Sequence, residues 1–425
     1  MNKKYKIFYF LSFFLILSNI SFLSGQTFIR VEDIPALVRS NSFFLRAKKQ
    51  ELYLQKISLY RPVFDLLPDL KFEYSGGWTE PVISSDGWAH RFNLSTSWPF
   101  LANATRIYTY RIQLALLKSE EINYDLNEQS EFLNAINLYW DAIRTTLLYE
   151  TAVSNEVVSK TRLEFVELQK SVGKASEQQV LTANADYDNA LYNTASSLAE
   201  RDLVFFKLGL LIGLTNFELD KNKWENFLSE EKIENVDVEK LPQIVLKKNE
   251  IQILRLQRED SFRQRILPSI YASFTMDWWE RKYAYKNWTS DQFTPAFSVG
   301  ISYPIFEKNK TLDEIRMLDL KIKKAENELT EIIKNKTTEF KSLQKEYESK
   351  YKLMKVSEHR LLSAELVTSS MRESYRLGIT SLVDLLQTEK DLRELKRDLV
   401  LLKIELVKLR SQLGYLVGDV FKYLK

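Results

Sequence analysis

Leu208-Gly209-Leu210-Leu211-Ile212-Gly213 returns 205 residues later as Leu413-Gly414-Tyr415-Leu416-Val417-Gly418, and this recurrence decides how the chain is read. At the same offset Pro99 answers Pro304 and Gly173 answers Gly378, while Leu67-Pro68 recurs as Leu267-Pro268 at an offset of 200. The chain is a tandem duplication. Each half keeps a fixed run from its proline to its glycine, and only the segment before that run differs in length.

Lys3, Lys4 and Lys6 precede an apolar run from Ile7 to about Ile20, followed by small residues near Ser24 and Gly25. This reads as a cleaved secretory signal over residues 1–25; an uncleaved membrane anchor is the rival reading, against which the apolar run is shorter than the ~20 residues a spanning helix needs. The chain has no cysteine, so it has no lipid-modified cysteine, disulfide, thiolate nucleophile or Cys-based metal site. The whole chain carries 60 basic and 57 acidic side chains. Removing the leader, with its three lysines and no acid, leaves the two signs balanced and interleaved. Nucleic acid is not an expected partner.

Proline is missing from Phe100 to Leu241 and from Ile305 to the end, which marks those stretches as helical. Leu392, Leu395, Leu399, Leu402, Leu406, Leu409, Leu413 and Leu416 follow 3-4 spacing, and Leu133, Ile136, Trp140, Ile143 and Leu147 repeat it in the first half. Both are coiled-coil seams. The stretch around Ala183, Ala190 and Thr194 is smaller and more polar.

Between each Leu-Pro and the next proline the period is two. Leu70 to Tyr74, Phe92 to Trp98, Ser269 to Asp277 and Phe297 to Tyr303 alternate apolar and polar residues, so each half contributes a hairpin of about ten-residue strands. That is the length a tilted membrane-spanning strand needs. Six of the eight tryptophans (Trp78, Trp88, Trp98, Trp278, Trp279 and Trp288) fall in these hairpins, and aromatics gather where a barrel meets headgroups. Four strands cannot close a barrel, and open edges are not viable in lipid, so a membrane reading requires several chains to share one barrel. A helix from Phe100 to Val172 would extend roughly 110 Å. The return helix, about Ser176 to Ile212, is half as long and needs a partner stacked end to end.

The resulting division is a leader over 1–25, a first repeat over 26–213, a polar junction over 214–240 and a second repeat over 241–425. Each repeat runs helix, β-hairpin (69–98 or 269–304), long helix, turn near 173 or 378, and short helix. The first helix is expected over about Val31 to Leu66 and its counterpart over about Leu241 to Leu267. Gly209, Gly213, Gly414 and Gly418 read as helix endings near the junction.

This ordered set resembles the TolC-like outer-membrane efflux proteins over nearly the whole mature chain. Tyr375-Arg376-Leu377-Gly378-Ile379-Thr380-Ser381-Leu382-Val383-Asp384-Leu385-Leu386 carries the resemblance, with Val172-Gly173-Lys174-Ala175 and Val180-Leu181 as a weaker match. The resemblance implies a mainly α fold with a β membrane part. Long tandem α-helical hairpins would form a trimeric α-barrel in the periplasm, and four strands per chain would contribute to one 12-stranded barrel in outer-membrane lipid. It implies a periplasmic adaptor of the membrane-fusion kind and an inner-membrane pump of RND or ABC type, serving efflux or type I secretion. It places adaptor docking at the tip turns of Gly173 and Gly378, an acidic pore constriction at Asp384 with Gln387 at the second matching position, and a latch between Tyr375 and Gln179. Gln387 and Gln179 stand where the family's pattern has acids.

Catalysis finds little footing. The only histidines are His90 and His359, no base, nucleophile and orienter cluster is visible, and nothing points to a metal or other cofactor. The competing reading is a secreted periplasmic coiled-coil scaffold or adaptor that spans no membrane, for which the paired hairpins would have no use.

Overall fold

The computed structural model describes residues 27–65, 67–79, 87–99, 103–221, 224–228, 237–281, 293–303 and 310–424. The expected leader, Trp288 and Pro304 lie outside them. In chain order the elements are β1 (Thr27–Ile29), α1 (Ile34–Asn41), α2 (Phe43–Ser58), α3 (Arg61–Phe64), β2 (Asp69–Thr79), β3 (Gly87–Pro99), α4 (Asn103–Ser171), α5 (Glu177–Ile212), β4 (Phe217–Leu219), α6 (Pro242–Ile266), β5 (Ser269–Arg281), β6 (Phe293–Ser302), α7 (Lys310–Arg376) and α8 (Leu382–Val417). Short 3-10 turns cover Val31–Asp33, Trp224–Phe227 and Val238–Lys240.

The long helices α4 and α7 run 69 and 67 residues without an internal proline or glycine. One segment departs from expectation. Instead of a single helix over about 31–66, α1, α2 and α3 follow one another. Ser42 turns extended (ψ 115°) and closes α1 by donating its N–H to Val38 O, while Pro62 opens α3 in its first turn, where a missing N–H breaks no helical bond.

The described residues form two compact units, one within 1–42, 134–230 and 353–408, the other within 43–133, 231–352 and 409–425. Each therefore draws on both halves of the duplication. In the first unit Ile34 and Val38 of α1, Ile136, Trp140 and Ile143 of α4, Leu208 and Ile212 of α5, and Ile404 and Val407 of α8 are buried. β1 and β4 pair in parallel, Thr27 opposite Phe217. Asn41 Nδ2 donates to Ile212 O at 2.6 Å, satisfying a carbonyl at the end of α5.

The second unit holds an antiparallel sheet in the order β2-β3-β5-β6. The register gathers the alternating apolar residues of all four strands on one face. Phe72 lies opposite Leu94, Leu94 opposite Met276, and Thr96 opposite Phe274; Phe274 lies opposite Phe297, and Ala272 opposite Val299. Leu70, Phe72, Phe297, Val299 and Ile301 are each at least 63 % exposed, so on the outer strands this face has no covering layer among the described residues. The opposite face is polar. There Arg91 donates twice to Asp277 Oδ1, at 3.0 and 2.9 Å, and Asn93 Nδ2 donates to the same oxygen at 2.8 Å. Among the helices of this unit, Asn249 of α6 donates to Ala115 O (2.6 Å) and Ser119 Oγ (2.7 Å) of α4. Lys247 and Arg255 of α6 pair with Glu328 and Glu326 of α7.

Candidate functional site

The candidate site lies in the first unit, where α4 ends, α5 begins, α7 ends and α8 begins. Two turns make it, and both are built alike. Gly173 adopts φ 75°, its N–H reaches Lys170 O (2.9 Å), and the N–H of Lys174 reaches Gln169 O (2.9 Å). Gly378 adopts φ 75°, its N–H reaches Tyr375 O (3.0 Å), and the N–H of Ile379 reaches Ser374 O (2.9 Å). This is the Schellman ending, in which a left-handed residue satisfies two carbonyls at the helix terminus. Nothing lies within 4 Å of where a Cβ would stand at either glycine, so φ alone requires glycine there and the turns are open on their outer side.

Three residues after each glycine the chain re-enters a helix through a serine cap, a reciprocal one in the first case. Ser176 Oγ accepts from Gln179 N (3.2 Å) while Ser176 N donates to Gln179 Oε1 (2.8 Å). At the equivalent positions Ser381 Oγ accepts from Asp384 N (3.2 Å) and donates to Asp384 Oδ2 (2.6 Å). Gln179 and Asp384 are thus the same position of the duplication, and each side chain is bound to its own helix start. Asp384 also lies in the first turn, where the helix dipole favours an anion. Asp384 and Gln387 are both exposed on α8, and Gln387 Nε2 donates to Asp391 Oδ1 at 2.8 Å.

Tyr375 turns inward. Its ring meets Phe165 edge-on at 6.5 Å and packs with Leu163, Val180 and Leu386 around buried Val166, Ala183 and Leu382. Burial raises its pKa and the charge of Arg162 partly offsets the rise. Tyr375 and Gln179 therefore keep different company within one chain, the tyrosine beside Arg162 and the glutamine on Ser176.

The feature that sequence reading missed is a charged network joining all four helices. Arg162 of α4 donates to Asp186 Oδ2 of α5 (2.8 Å) and to Glu389 of α8; Glu389 Oε1 accepts from Arg372 Nε of α7 at 2.8 Å. Ser159 Oγ adds a bond to Asp186 Oδ2 at 2.9 Å. Glu389 is 3 % and Arg162 8 % exposed. Ions so placed are held only by each other, because desolvation makes an unpaired one costly. A signal was available: the seam of α8 extends upstream through Leu385 and Leu382, and Glu389 occupies the seam position between Leu385 and Leu392, where a carboxylate is out of pattern.

The glycines at the ends of α5 and α8 separate into two roles. Gly213 (φ 74°) and Gly418 (φ 91°) end α5 and α8, as expected. Gly209 and Gly414 instead lie inside the last turns, where a Cβ would stand 2.5 Å from Leu214 O and 2.6 Å from Asp419 O. They let the chain fold back across its own helix end.

No family model matches the chain, and no curated protein matches its sequence. Solved structures do. The chain superposes on CusC, described by its transmembrane channel formation, with TM-score 0.78 at 14% identity over 95% of each chain. It superposes on the Vibrio cholerae outer membrane protein VceC with TM-score 0.76 at 14% identity, covering 92% of this chain and 96% of that one. The open state of the Neisseria gonorrhoeae MtrE outer membrane channel gives 0.78 at 13% identity, covering 93% and 90%. The chain has the fold of these outer-membrane channels.

Proposed function

We propose that the protein is an outer-membrane exit duct that passively conducts solutes from a periplasmic adaptor and an inner-membrane pump to the exterior, in tripartite efflux or type I secretion. The four-stranded sheet carries this reading. One face is apolar, with its most exposed residues on the outer strands β2 and β6, and those two strands pair with nothing else among the described residues. In lipid such a sheet is viable only when closed. β2 and β6 run in opposite directions, so β6 of one copy can pair antiparallel with β2 of the next, and three copies make a barrel of twelve strands.

The helices support the same assembly. Tyr192, Ala195, Ala199, Leu203, Phe206 and Leu210 of α5 are exposed at 3-4 spacing, an unpartnered coiled-coil seam for a neighbouring copy. The tips at Gly173 and Gly378, with Val172, Leu377, Ile379 and Val383 exposed around them, receive the adaptor. Threefold symmetry brings three Asp384 carboxylates together as a cation-favouring constriction, with Gln387 beside it. Tyr375 and the Arg162–Glu389 network hold the two helical hairpins together in the closed duct, and Gln179 steadies the first tip. The duct does no chemistry of its own.

Single-channel recording in a planar bilayer tests the reading. Cation-selective channels are expected, blocked by multivalent cations on the tip side and less so after Asp384→Ala. Channels indifferent to that substitution would move the constriction elsewhere, and a chain that never inserts would be a periplasmic scaffold.

A further inference from the structure

At the foot of the sheet, two arginines gather on one tyrosine. Tyr108, in the first turns of α4, is buried; the guanidinium carbon of Arg111 lies 5.7 Å from its ring centre and that of Arg263, from α6, lies 4.8 Å away. The ring attracts each cation, but the two cations repel one another. Earlier along α6 every such charge is answered: Lys247 by Glu328, Arg255 by Glu326 and Arg258 by Asp319. Among the described residues neither Arg111 nor Arg263 forms an ion pair. Arg263 precedes the first residue of β5 by six positions, and α4 begins four positions after β3 ends, so the pair marks where helices give way to strands.

Along the same end of α6 a groove of about 380 Å³ is lined by Arg258, Glu259, Phe262, Arg263, Ile266 and Leu267. Its apolar members, Phe262 and Ile266 among them more than half exposed, lead toward Ile270, which the register places on the apolar face of the sheet.

We infer that Arg111 and Arg263 bind the phosphate of an anionic phospholipid headgroup in the periplasmic leaflet, whose first acyl carbons lie against Phe262, Ile266 and Leu267. This rests on the reading of the sheet as lipid-embedded. Two guanidinium forks match phosphate oxygens in shape and charge, and a phosphate between them removes the repulsion. The adjoining Phe262, Ile266 and Leu267 side of the groove selects a lipid over free phosphate.

Native mass spectrometry of the detergent-purified full chain, titrated with phosphatidylglycerol, phosphatidylcholine or inorganic phosphate, tests the inference. The unchanged chain is to prefer phosphatidylglycerol. Its affinity is to fall about fivefold for each guanidinium removed in Arg111→Gln with Arg263→Gln, and less in Arg263→Lys, which keeps charge but loses the fork. Arg316→Gln, which removes a charge from α7, is to change nothing. Equal retention by the double variant would overturn the inference, as would inorganic phosphate binding as tightly as the lipid. Parallel bilayer recordings separate the two readings: channels without lipid retention sink only this one, whereas failure of the unchanged chain to insert sinks the duct as well.

Discussion

Glu389→Gln is the substitution that most directly tests the four-helix network. Glu389 is 3 % exposed and accepts from Arg162 and from Arg372. Breaking a buried pair costs about 3–5 kcal/mol when it strands an ion. Arg162 keeps Asp186, and the Arg372 side chain is 49 % exposed, where a pair contributes only about 0–1 kcal/mol, so the low end applies. About 3 kcal/mol corresponds to roughly 150-fold in the balance between clasped and parted helices. Hydrogen exchange of amides in 155–170 and 365–390 reads that balance locally, and a cycle with Arg162→Gln isolates the pair. Partners in one network should couple by about 1–3 kcal/mol. Costs that simply add, or exchange that does not move, would show that the network clasps nothing.

The glycines make an ordered test. Gly378→Ala meets open space and should cost about 1–2 kcal/mol from its positive φ alone, whereas Gly414→Ala drives a Cβ into backbone oxygens and should cost about 3 kcal/mol or more in denaturant unfolding; the reverse order would refute the assignment. The Lys403 cluster predicts a pH profile. Burial pushes the Glu358 pKa up, but the hydrogen bond and charge of Lys403 outweigh it and hold it below the usual 4.5. Burial pushes Lys403 down, but Glu225 and Glu358 hold it above its usual 10.5. The depressed carboxyl contributes stability above 4.5 that is lost as pH falls through its folded value; the raised amine contributes below 10.5 and loses it as pH climbs through its own. Urea midpoints of the unchanged chain and Lys403→Met should therefore differ most between those limits and converge in acid, and a gap as wide at pH 3 as at pH 7 would contradict it. On α4, burial first and then Glu128 and Glu121 raise the Asp125 pKa. Asp125→Asn should stabilise by about 0.5 kcal/mol at neutral pH and by nothing once the carboxyl is protonated in both states, as thermal scans at the two extremes would show.

Most of the framework was legible because it is written in periodicity. Pro99 and Leu267-Pro268 bound the strands, alternation of Phe297, Val299 and Ile301 fixed which face is apolar, and the absence of proline and glycine set the length of α4 within a few residues of expectation. The break of the N-terminal helix at Ser42 was not legible. A single serine is common inside helices, and only its extended ψ in the folded chain ends one there. The candidate site was half legible. Gly173 and Gly378 announce turns by residue type, but the serine caps that hold Gln179 and Asp384 emerge only when the offset of 205 is applied to the residues around them.

The network of Arg162, Asp186, Arg372 and Glu389 shows where such reading stops and why. Each member is an ordinary charged residue on a helix rich in charge, and what makes them a set is burial, which depends on which helices meet. Yet Glu389 departs from the seam that Leu382, Leu385, Leu392 and Leu399 define, and a leucine there would pack without needing two partners on two other helices. A carboxylate in that position sacrifices apolar burial and gains a contact that exists only in one relative placement of α4, α5, α7 and α8. Buried polar groups are best attested as devices that fix register. If the hairpins were meant never to part, an apolar residue would serve at position 389. In the proposed duct, an ion pair that comes apart when water enters would suit helices that close in one register and then open.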